Sequence, residues 1–209
     1  MITLYTWDTP NGRKISIALE ELGLDYDVIP INIHTGEQHA PEFSKISPSN
    51  KIPVINDGGR ILFESGAILL YLAQKTAKLL ASVNSESYWQ QIIWLQWQVG
   101  NFGPSVGQAH HFLHYNKNVS TYSEQRYLQQ TLTLYEDLNQ QLSGKDFVTG
   151  SALSIADISI WPWVARFQYH KVDLNTFANV KRWYLQLAKR PSFEKGYKQP
   201  FIHQDIPLP

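Results

Sequence analysis

One stretch of the sequence, residues 50–68, constrains the fold more than any other. It opens with Asn-Lys-Ile-Pro-Val-Ile at residues 50–55 and closes with Leu-Phe-Glu-Ser-Gly-Ala-Ile at residues 62–68. Proline is tolerated at the first position of a strand, where its missing N–H is not needed, and the Asp-Gly-Gly at residues 57–59 is a turn sequence. The stretch therefore predicts a short strand, a turn, a second short strand, and a helix that begins at Ser65.

The same stretch offers a place for a bound peptide. The residue before a proline is held extended, so the N–H and C=O groups of Ile52 form an edge to which an extended peptide can add as a strand. At the same end, the helix N-terminus at Ser65 has free N–H groups that attract a carboxylate, and the acidic Glu64 attracts an amine. A peptide edge beside a site for an amino-acid head is what a γ-glutamyl tripeptide requires.

The first eighty residues alternate between strand and helix patterns. Strands are predicted for residues 2–5 and 26–31, a helix with one apolar face for residues 11–22, and a short irregular helix for residues 41–46. Together with the two strands and the helix of residues 50–75, this order is a βαβ unit followed by a β-hairpin and a helix. It is typical of a thioredoxin-like α/β domain.

Strand patterns end at a small polar linker, residues 81–85. Helical patterns then follow at residues 86–114, 122–142, 155–167 and 176–190. We therefore predict a thioredoxin-like domain over residues 1–81 and an all-helical domain over residues 85–209. The sequence Ser154-Ile155-Ala156-Asp157 predicts a capping box at a helix start, which is a structural feature and not a catalytic one.

Composition excludes several classes of site. The chain has no cysteine, so it has no disulfide, no thiolate metal ligand and no thiol nucleophile of its own. Any thiol chemistry must use a sulfur that arrives with another molecule. The net charge of zero argues against nucleic acid as a partner, and no apolar run is long enough for a membrane span. The N-terminus lacks a signal-peptide pattern, so we expect a cytoplasmic protein.

The loop between the first strand and the first helix has two interpretations. It reads Thr-Pro-Asn-Gly at residues 9–12. Threonine is a common N-cap and proline is favoured at the first helical position, so one interpretation is that Thr9 only caps the helix. The other is that the Thr9 hydroxyl and the Asn11 amide donate hydrogen bonds to a sulfur and favour its thiolate form. Ser65 is likewise explained either as a helix cap or as a ligand contact.

A glycine and a proline, Gly103 and Pro104, interrupt the long helix predicted for residues 86–114, where they imply a kink. His110 and His114 follow with the i,i+4 spacing of a metal site, but the glutamate of the zinc-protease pattern is absent. We therefore expect these histidines to pack or to line a cleft, and we predict no metal site.

In combination, these motifs resemble the glutathione transferase family, and within it the Nu class of bacterial glutathione transferases. The resemblance covers nearly the full length and implies the glutathione transferase fold, an α/β thioredoxin-like N-terminal domain plus an all-α C-terminal domain. The segments that carry it are residues 50–53, 63–70, 103–112 and 154–158, together with Thr9 and Asn11.

The resemblance implies that the chain binds glutathione, reduced or as glutathione disulfide. In the family, the bond before the proline is cis, a glutamate-serine pair holds the γ-glutamyl head, and a lysine and a glutamine hold the glycine end. Without the family, Lys51 and Gln38 would be ordinary solvated side chains. The matching binding residues of this chain are Asn11, Gln38, Lys51, Ile52, Glu64 and Ser65.

Nu-class members are glutathione-dependent disulfide-bond oxidoreductases that work as homodimers. They use a threonine and an asparagine near the sulfur, matched here by Thr9 and Asn11 as catalytic residues, and an arginine donated across the dimer, matched by Arg126. The leading prediction is thus a reductase of small-molecule or peptide disulfides. Two alternatives stay open: conjugation of glutathione to small electrophiles, and a non-enzymatic glutathione-binding regulator. A tyrosine-type transferase is disfavoured, because Tyr5 is predicted within the first strand.

Overall fold

The structure is a computed structural model, and it describes residues 1–201 and 203–209. Residue 202, which falls in the predicted helical domain, lies outside the described residues. The chain forms two compact units, one of Met1–Leu80 with Lys189–Ile206 and one of Ala81–Ala188 with Pro207–Pro209.

The first unit is built on a mixed four-stranded sheet. In chain order the strands are β1 (Ile2–Thr6), β2 (Tyr26–Pro30), β3 (Val54–Asp57) and β4 (Arg60–Phe63). Their spatial order is β2-β1-β3-β4, with β1 parallel to β2, β1 antiparallel to β3, and β3 paired with β4 in the predicted hairpin. This is the thioredoxin-like arrangement that the order of sequence patterns predicts.

Helices make up most of the remaining described chain. They are α1 (Pro10–Leu22), α2 (Pro41–Ser44), α3 (Ser65–Thr76), α4 (Glu86–Trp97), α5 (Gly103–His110), α6 (Thr121–Gln141), α7 (Ile155–Val164), α8 (Ala178–Ala188) and α9 (Pro191–Tyr197). Short 3₁₀ turns lie at Glu37–His39 and Leu174–Thr176. No helix within residues 1–201 and 203–209 has both the length and the apolar character needed to cross a membrane.

The core of the first unit forms where α1 and α3 bury apolar faces with the sheet. On α1, Ile15, Leu19 and Leu22 recur at helical spacing and are buried. On the sheet, Leu4 of β1 and Ile55 of β3 are cross-strand partners, and both are completely buried. The packed core therefore fixes the ends of these strands and helices, and with them the loops that connect one to the next.

The C-terminal end differs from the predicted division into domains. Residues from 189 onward were expected to continue the helical domain, but α9 packs on α1 of the first unit. A Cβ on Gly196 would lie 2.5 Å from the Ile17 Cα, so the two helix backbones are in direct contact. Ser16 Oγ donates to the Gly196 carbonyl at 2.6 Å, and Arg13 Nε donates to the Tyr197 carbonyl at 3.0 Å. These long-range contacts have no signature in the local sequence.

The second unit is helical, as predicted. Its long helix is interrupted at the expected place: a π-helical turn, Gln98–Phe102, lies just before Gly103 and Pro104. Proline has no N–H for the regular bond to the carbonyl four residues earlier, so a change in helical hydrogen bonding here has a local cause. A second π-helical turn, His111–Tyr115, follows α5.

The predicted capping box is present at the start of α7. The backbone N–H of Ser154 donates to Asp157 Oδ2 at 3.0 Å, and Asp157 is completely buried. Its Oδ1 also accepts from the Val148 N–H at 2.8 Å and from Trp183 Nε1 at 2.9 Å. Burial raises the pKa of Asp157, and these donors act in the opposite direction by stabilising the carboxylate. Asp157 therefore joins the helix start to a preceding loop and to α8.

Candidate functional site

The register of the sheet brings to one end of the first unit the segments that carry seven of the predicted site residues. Tyr5 of β1 pairs with Val54 of β3, Val54 pairs with Phe63 of β4, and Thr6 pairs with Pro30 of β2. The segments that extend beyond this row leave the sheet at the same end. They carry the predicted site residues Thr9, Asn11, Gln38, Lys51, Ile52, Glu64 and Ser65.

Thr9 and Asn11 lie at the start of α1. Thr9 is the N-cap, and its Oγ1 accepts a hydrogen bond from the Gly12 N–H at 3.1 Å. Accepting that bond leaves the hydroxyl hydrogen as a donor, so capping and ligand contact are compatible roles. Asn11 is half-buried in the first turn. Glycine is needed at position 12 because a Cβ there would lie 2.6 Å from the Trp7 carbonyl oxygen.

The peptide bond between Ile52 and Pro53 is cis, which confirms the prediction. Pairing of β3 begins at Val54, so Ile52 lies beyond the paired part of the strand. The backbone just before it is fixed by the buried Ser47, whose Oγ donates to the Lys51 carbonyl at 2.8 Å and accepts from the Lys51 N–H at 3.1 Å. The Lys51 side chain itself is exposed, so its positive charge is accessible to the carboxylate of a ligand that arrives from solvent.

Gln38 has a polar atom that lacks a partner. The residue is half-buried in the 3₁₀ turn Glu37–His39, and its Oε1 is buried with no hydrogen-bond partner in the part of the chain that the structure describes. Buried amide oxygens are rarely left unsatisfied in native proteins.

Glu64 and Ser65 form the turn from β4 into α3. The helix begins at Ser65 as predicted, but Glu64 occupies the N-cap position, and its carbonyl accepts from the Ile68 N–H at 2.9 Å. Glu64 has φ 68° and ψ 111°, a conformation that residues other than glycine rarely adopt. Such strain is found most often at ligand sites, and here it leaves the Glu64 side chain exposed beside the helix N-terminus.

Lys14 was not predicted as a site residue, yet it lies directly against this turn. Its side chain is buried in α1, with Nζ 3.2 Å from Ser65 Oγ. Burial lowers the pKa of Lys14 to about 7, while the negative charge of Glu64 acts to raise it. The available signal was its spacing, because Lys14 lies four residues before Ala18 and eight before Leu22, on the apolar face of α1.

Arg126 is the one predicted site residue that belongs to the second unit. It lies on α6 with an exposed side chain, and its Nη1 donates to the Tyr122 hydroxyl at 3.4 Å. Within one chain the structure therefore gives Arg126 no ligand role.

The histidines of the second unit pack against aromatic rings. His110 stacks on His170 with 4.4 Å between ring centroids, and His170 Nδ1 shares a 2.8 Å hydrogen bond with the Tyr135 hydroxyl. Burial lowers the pKa of His110 to about 3, so its ring is neutral at pH 7. His114 stacks on Tyr169 at 4.0 Å. Apart from residue 202, which is not described, the chain has no group of three or more histidine or carboxylate side chains suited to a metal.

Sequence profiles of one family match both units. The profile of the glutathione S-transferase N-terminal domain matches residues 1–74, and that of the C-terminal domain matches residues 122–185. The chain is 45% identical over 199 residues to the disulfide-bond oxidoreductase YfcG of Escherichia coli (strain K12), with 92% of each chain covered.

Solved structures give the same relationship. A glutathione transferase family member from Pseudomonas fluorescens pf-5, with two glutathione bound, matches with a TM-score of 0.89 and 37% identity, covering 94% of this chain and 92% of that one. A glutathione transferase from Pseudomonas putida, with one glutathione disulfide bound per subunit, matches with a TM-score of 0.88 and 37% identity, covering 95% and 91%. The thioredoxin-like sheet, the helical unit and these similarities show that the chain belongs to the glutathione S-transferase family.

Proposed function

We propose that this protein is a Nu-class glutathione transferase that reduces disulfide bonds with glutathione as the electron donor. The observation that carries the proposal is that the start of α1, the cis bond before Pro53 and the Glu64–Ser65 turn adjoin the same end of three neighbouring strands in a chain without cysteine. The relative named a disulfide-bond oxidoreductase and the neighbour crystallised with glutathione disulfide support it. Glutathione is kept reduced in the cytoplasm, where we place the protein.

Each part of glutathione has a proposed contact. The backbone of Ile52 pairs with the central cysteinyl residue, as an added strand would. Lys51 and Gln38 hold the glycine end, Lys51 through its exposed charge and Gln38 through its side-chain amide. Glu64 binds the amine of the γ-glutamyl head, while Ser65 and the free N–H groups of α3 bind its carboxylate.

The sulfur of the bound tripeptide would lie at the start of α1. The Thr9 hydroxyl and the Asn11 amide donate hydrogen bonds to it there, and the helix N-terminus adds positive potential. All three stabilise a thiolate over a thiol, and the thiolate is the form that attacks disulfides. Tyr5 is within β1, paired with Val54, and is not placed in this turn.

Two thiol–disulfide exchanges complete the reaction. The thiolate of one glutathione attacks a sulfur of the substrate disulfide, which forms a mixed disulfide and releases one substrate thiolate. The thiolate of a second glutathione then attacks the glutathione sulfur of the mixed disulfide, which releases the second substrate thiolate and glutathione disulfide. Both substrate thiolates take up protons from solvent. The protein contributes thiolate stabilisation and proximity, and the substrate is a small-molecule or peptide disulfide.

A comparison of two substrate classes tests this function. Reduction of hydroxyethyl disulfide and conjugation of an aryl halide are measured with the same protein and the same glutathione concentration. We expect kcat/KM for reduction to exceed that for conjugation by about tenfold or more, equivalent to roughly 1.4 kcal/mol of transition-state stabilisation. Faster conjugation would make the protein a conjugating transferase. Glutathione binding without either activity would make it a regulator.

We also propose that the protein is a homodimer in which Arg126 reaches the ligand of the partner subunit. Large apolar side chains are exposed in each unit: Trp89 (57%) and Ile93 (53%) on α4, and Phe63 (41%) and Ile61 (38%) on the edge strand β4. Grouped exposed apolar residues of this kind mark interaction surfaces.

Light scattering at micromolar concentration should therefore give twice the chain mass of 24.0 kDa. Trp89→Glu places a charge among the exposed apolar side chains of α4 and should shift the protein toward the monomer. Ser87→Glu, at an exposed position on the other side of the same helix, is the matched control and should leave the mass unchanged. A wild-type protein that scatters as a monomer would contradict the dimer and leave Arg126 without a ligand.

A further inference from the structure

A buried lysine lies behind the turn assigned to the γ-glutamyl head. Lys14 and Ser65 are both buried, at 1% and 8% exposure, and the Nζ–Oγ distance is 3.2 Å. A lysine is rarely buried without a partner, because moving an ammonium group out of water is costly. The ammonium group of Lys14 therefore needs polar neighbours, and the Ser65 hydroxyl is one of them.

The chemistry of the two groups sets the direction of their hydrogen bond. An ammonium group has three donors and no acceptor, so a charged Lys14 obliges Ser65 Oγ to accept. The hydroxyl hydrogen of Ser65 then points elsewhere and can donate to a carboxylate. A neutral amine has a lone pair, so a deprotonated Lys14 can accept the Ser65 hydrogen and remove that donor from the site.

We propose that Lys14 is a positioning residue for the γ-glutamyl carboxylate of glutathione, and that it acts by fixing the Ser65 hydroxyl as a donor toward this carboxylate. The inference rests on the proposed function, since it assigns a partner to the same head-group site. The positive charge of Lys14 also attracts the carboxylate directly, which strengthens binding further.

The charged groups around Lys14 make this arrangement sensitive to protonation. Glu64, from the turn between β4 and α3, acts on Lys14 and favours its charged form, against the larger effect of burial. On α1 itself, the neighbouring Arg13 is paired with Asp8 at 2.5 Å. From the C-terminal side, α9 presents the Tyr197 carbonyl to Arg13 at 3.0 Å. Burial lowers the pKa of Lys14 to about 7, so a carboxylate bound beside it should draw a proton onto it.

Calorimetric titration with S-methylglutathione tests the proposal, because this ligand has no thiol to titrate. For the wild-type protein we expect Kd to rise about tenfold between pH 6.5 and pH 8.5, since the loss of a bound proton weakens binding by up to tenfold per pH unit. Lys14→Met should bind weakly at both values with little pH dependence. The amine of the ligand loses its own proton toward pH 8.5, and Lys14→Met reports that effect alone because methionine does not titrate. Lys14→Arg keeps a positive charge throughout, so it should bind at pH 6.5 and show the same small pH dependence as Lys14→Met.

Two controls separate Lys14 from its neighbours. His39 contacts the Gln38 amide at 3.3 Å, and His39→Gln should keep the wild-type pH dependence. If Lys14 acts through Ser65, then Lys14→Met should have little further effect on Kd in a Ser65→Ala background.

Proton uptake by the wild-type protein provides a measurement that does not depend on how the variants fold. Titrations at pH 7.5 in buffers of different ionisation enthalpy should show uptake of about half a proton per ligand bound. Binding that is independent of pH and takes up no proton would overturn the role of Lys14 and leave the glutathione site standing. Failure of the wild-type protein to bind S-methylglutathione at any pH would overturn both proposals.

Discussion

A Thr9→Ala, Asn11→Ala double variant is expected to reduce hydroxyethyl disulfide at least tenfold more slowly than the wild-type protein. Each side chain is proposed to donate one hydrogen bond to the glutathione thiolate, and hydrogen bonds to a charged group contribute about 1.5–3 kcal/mol. Because about 1.4 kcal/mol corresponds to a factor of ten in rate, the loss of both donors leaves the thiolate poorly stabilised. Steady-state kinetics at saturating glutathione would measure the effect on the chemical step.

Two controls distinguish loss of chemistry from loss of structure. Thr9 also caps α1 through Gly12, so its replacement by alanine removes a cap worth roughly 1 kcal/mol, and thermal unfolding must show that the variant is folded. Thr9→Ser keeps both the cap and the donor and should remain active. Tyr5→Phe should have little effect, because Tyr5 belongs to β1. An inactive Tyr5→Phe beside an active double variant would show that the site is of the tyrosine type.

The largest loss of stability is expected for Asp157→Ala. The carboxylate is completely buried and accepts from the Ser154 and Val148 N–H groups and from the Trp183 indole. Its removal leaves several buried donors unsatisfied, each of which costs about 1–3 kcal/mol. We therefore expect the free energy of unfolding to fall by roughly 3 kcal/mol or more, measured by urea unfolding at pH 7.

A matched substitution makes this test specific. Asp137 is an exposed aspartate on α6, and Asp137→Ala should change the free energy of unfolding by less than about 0.5 kcal/mol. Asp157→Asn is a sharper probe, because an amide retains one acceptor oxygen but turns its NH2 group toward the donors on the other side. The Asp157→Asn variant should therefore be destabilised as well. Equal unfolding curves for Asp157→Ala and Asp137→Ala would show that the capping box does not anchor α7.

The sequence alone predicts those parts of the fold whose causes are local. The hairpin after Pro53 and the start of α3 at Ser65 follow from proline, glycine and turn chemistry within a few residues, and the structure confirms them. The Ser154–Asp157 capping box is local in the same sense. The order of the strands in the sheet, β2-β1-β3-β4, was not predicted, and the site residues were grouped by their motifs and by the family resemblance.

Features with distant causes were missed. Helix α9 was not predicted, and its place in the first unit depends on Gly196 meeting Ile17, which is far away along the chain. Spacing places Lys14 on the apolar face of α1, but its contact with Ser65 depends on α3, which is distant along the chain. The N-cap role of Glu64 was also missed, because it requires a backbone conformation that glutamate rarely adopts. The proposed role of Arg126 depends on a second subunit, which no single chain contains.

The central claim is that bound glutathione supplies every thiol in the reaction. Its most direct test is the rate of hydroxyethyl disulfide reduction by protein that has been treated with iodoacetamide and then freed of the reagent. Because the chain has no cysteine, we expect an unchanged intact mass, an unchanged rate with glutathione, and no reduction when glutathione is withheld. Two glutathione molecules should be consumed for each disulfide reduced. Reduction without glutathione, or no reduction with it, would contradict the account.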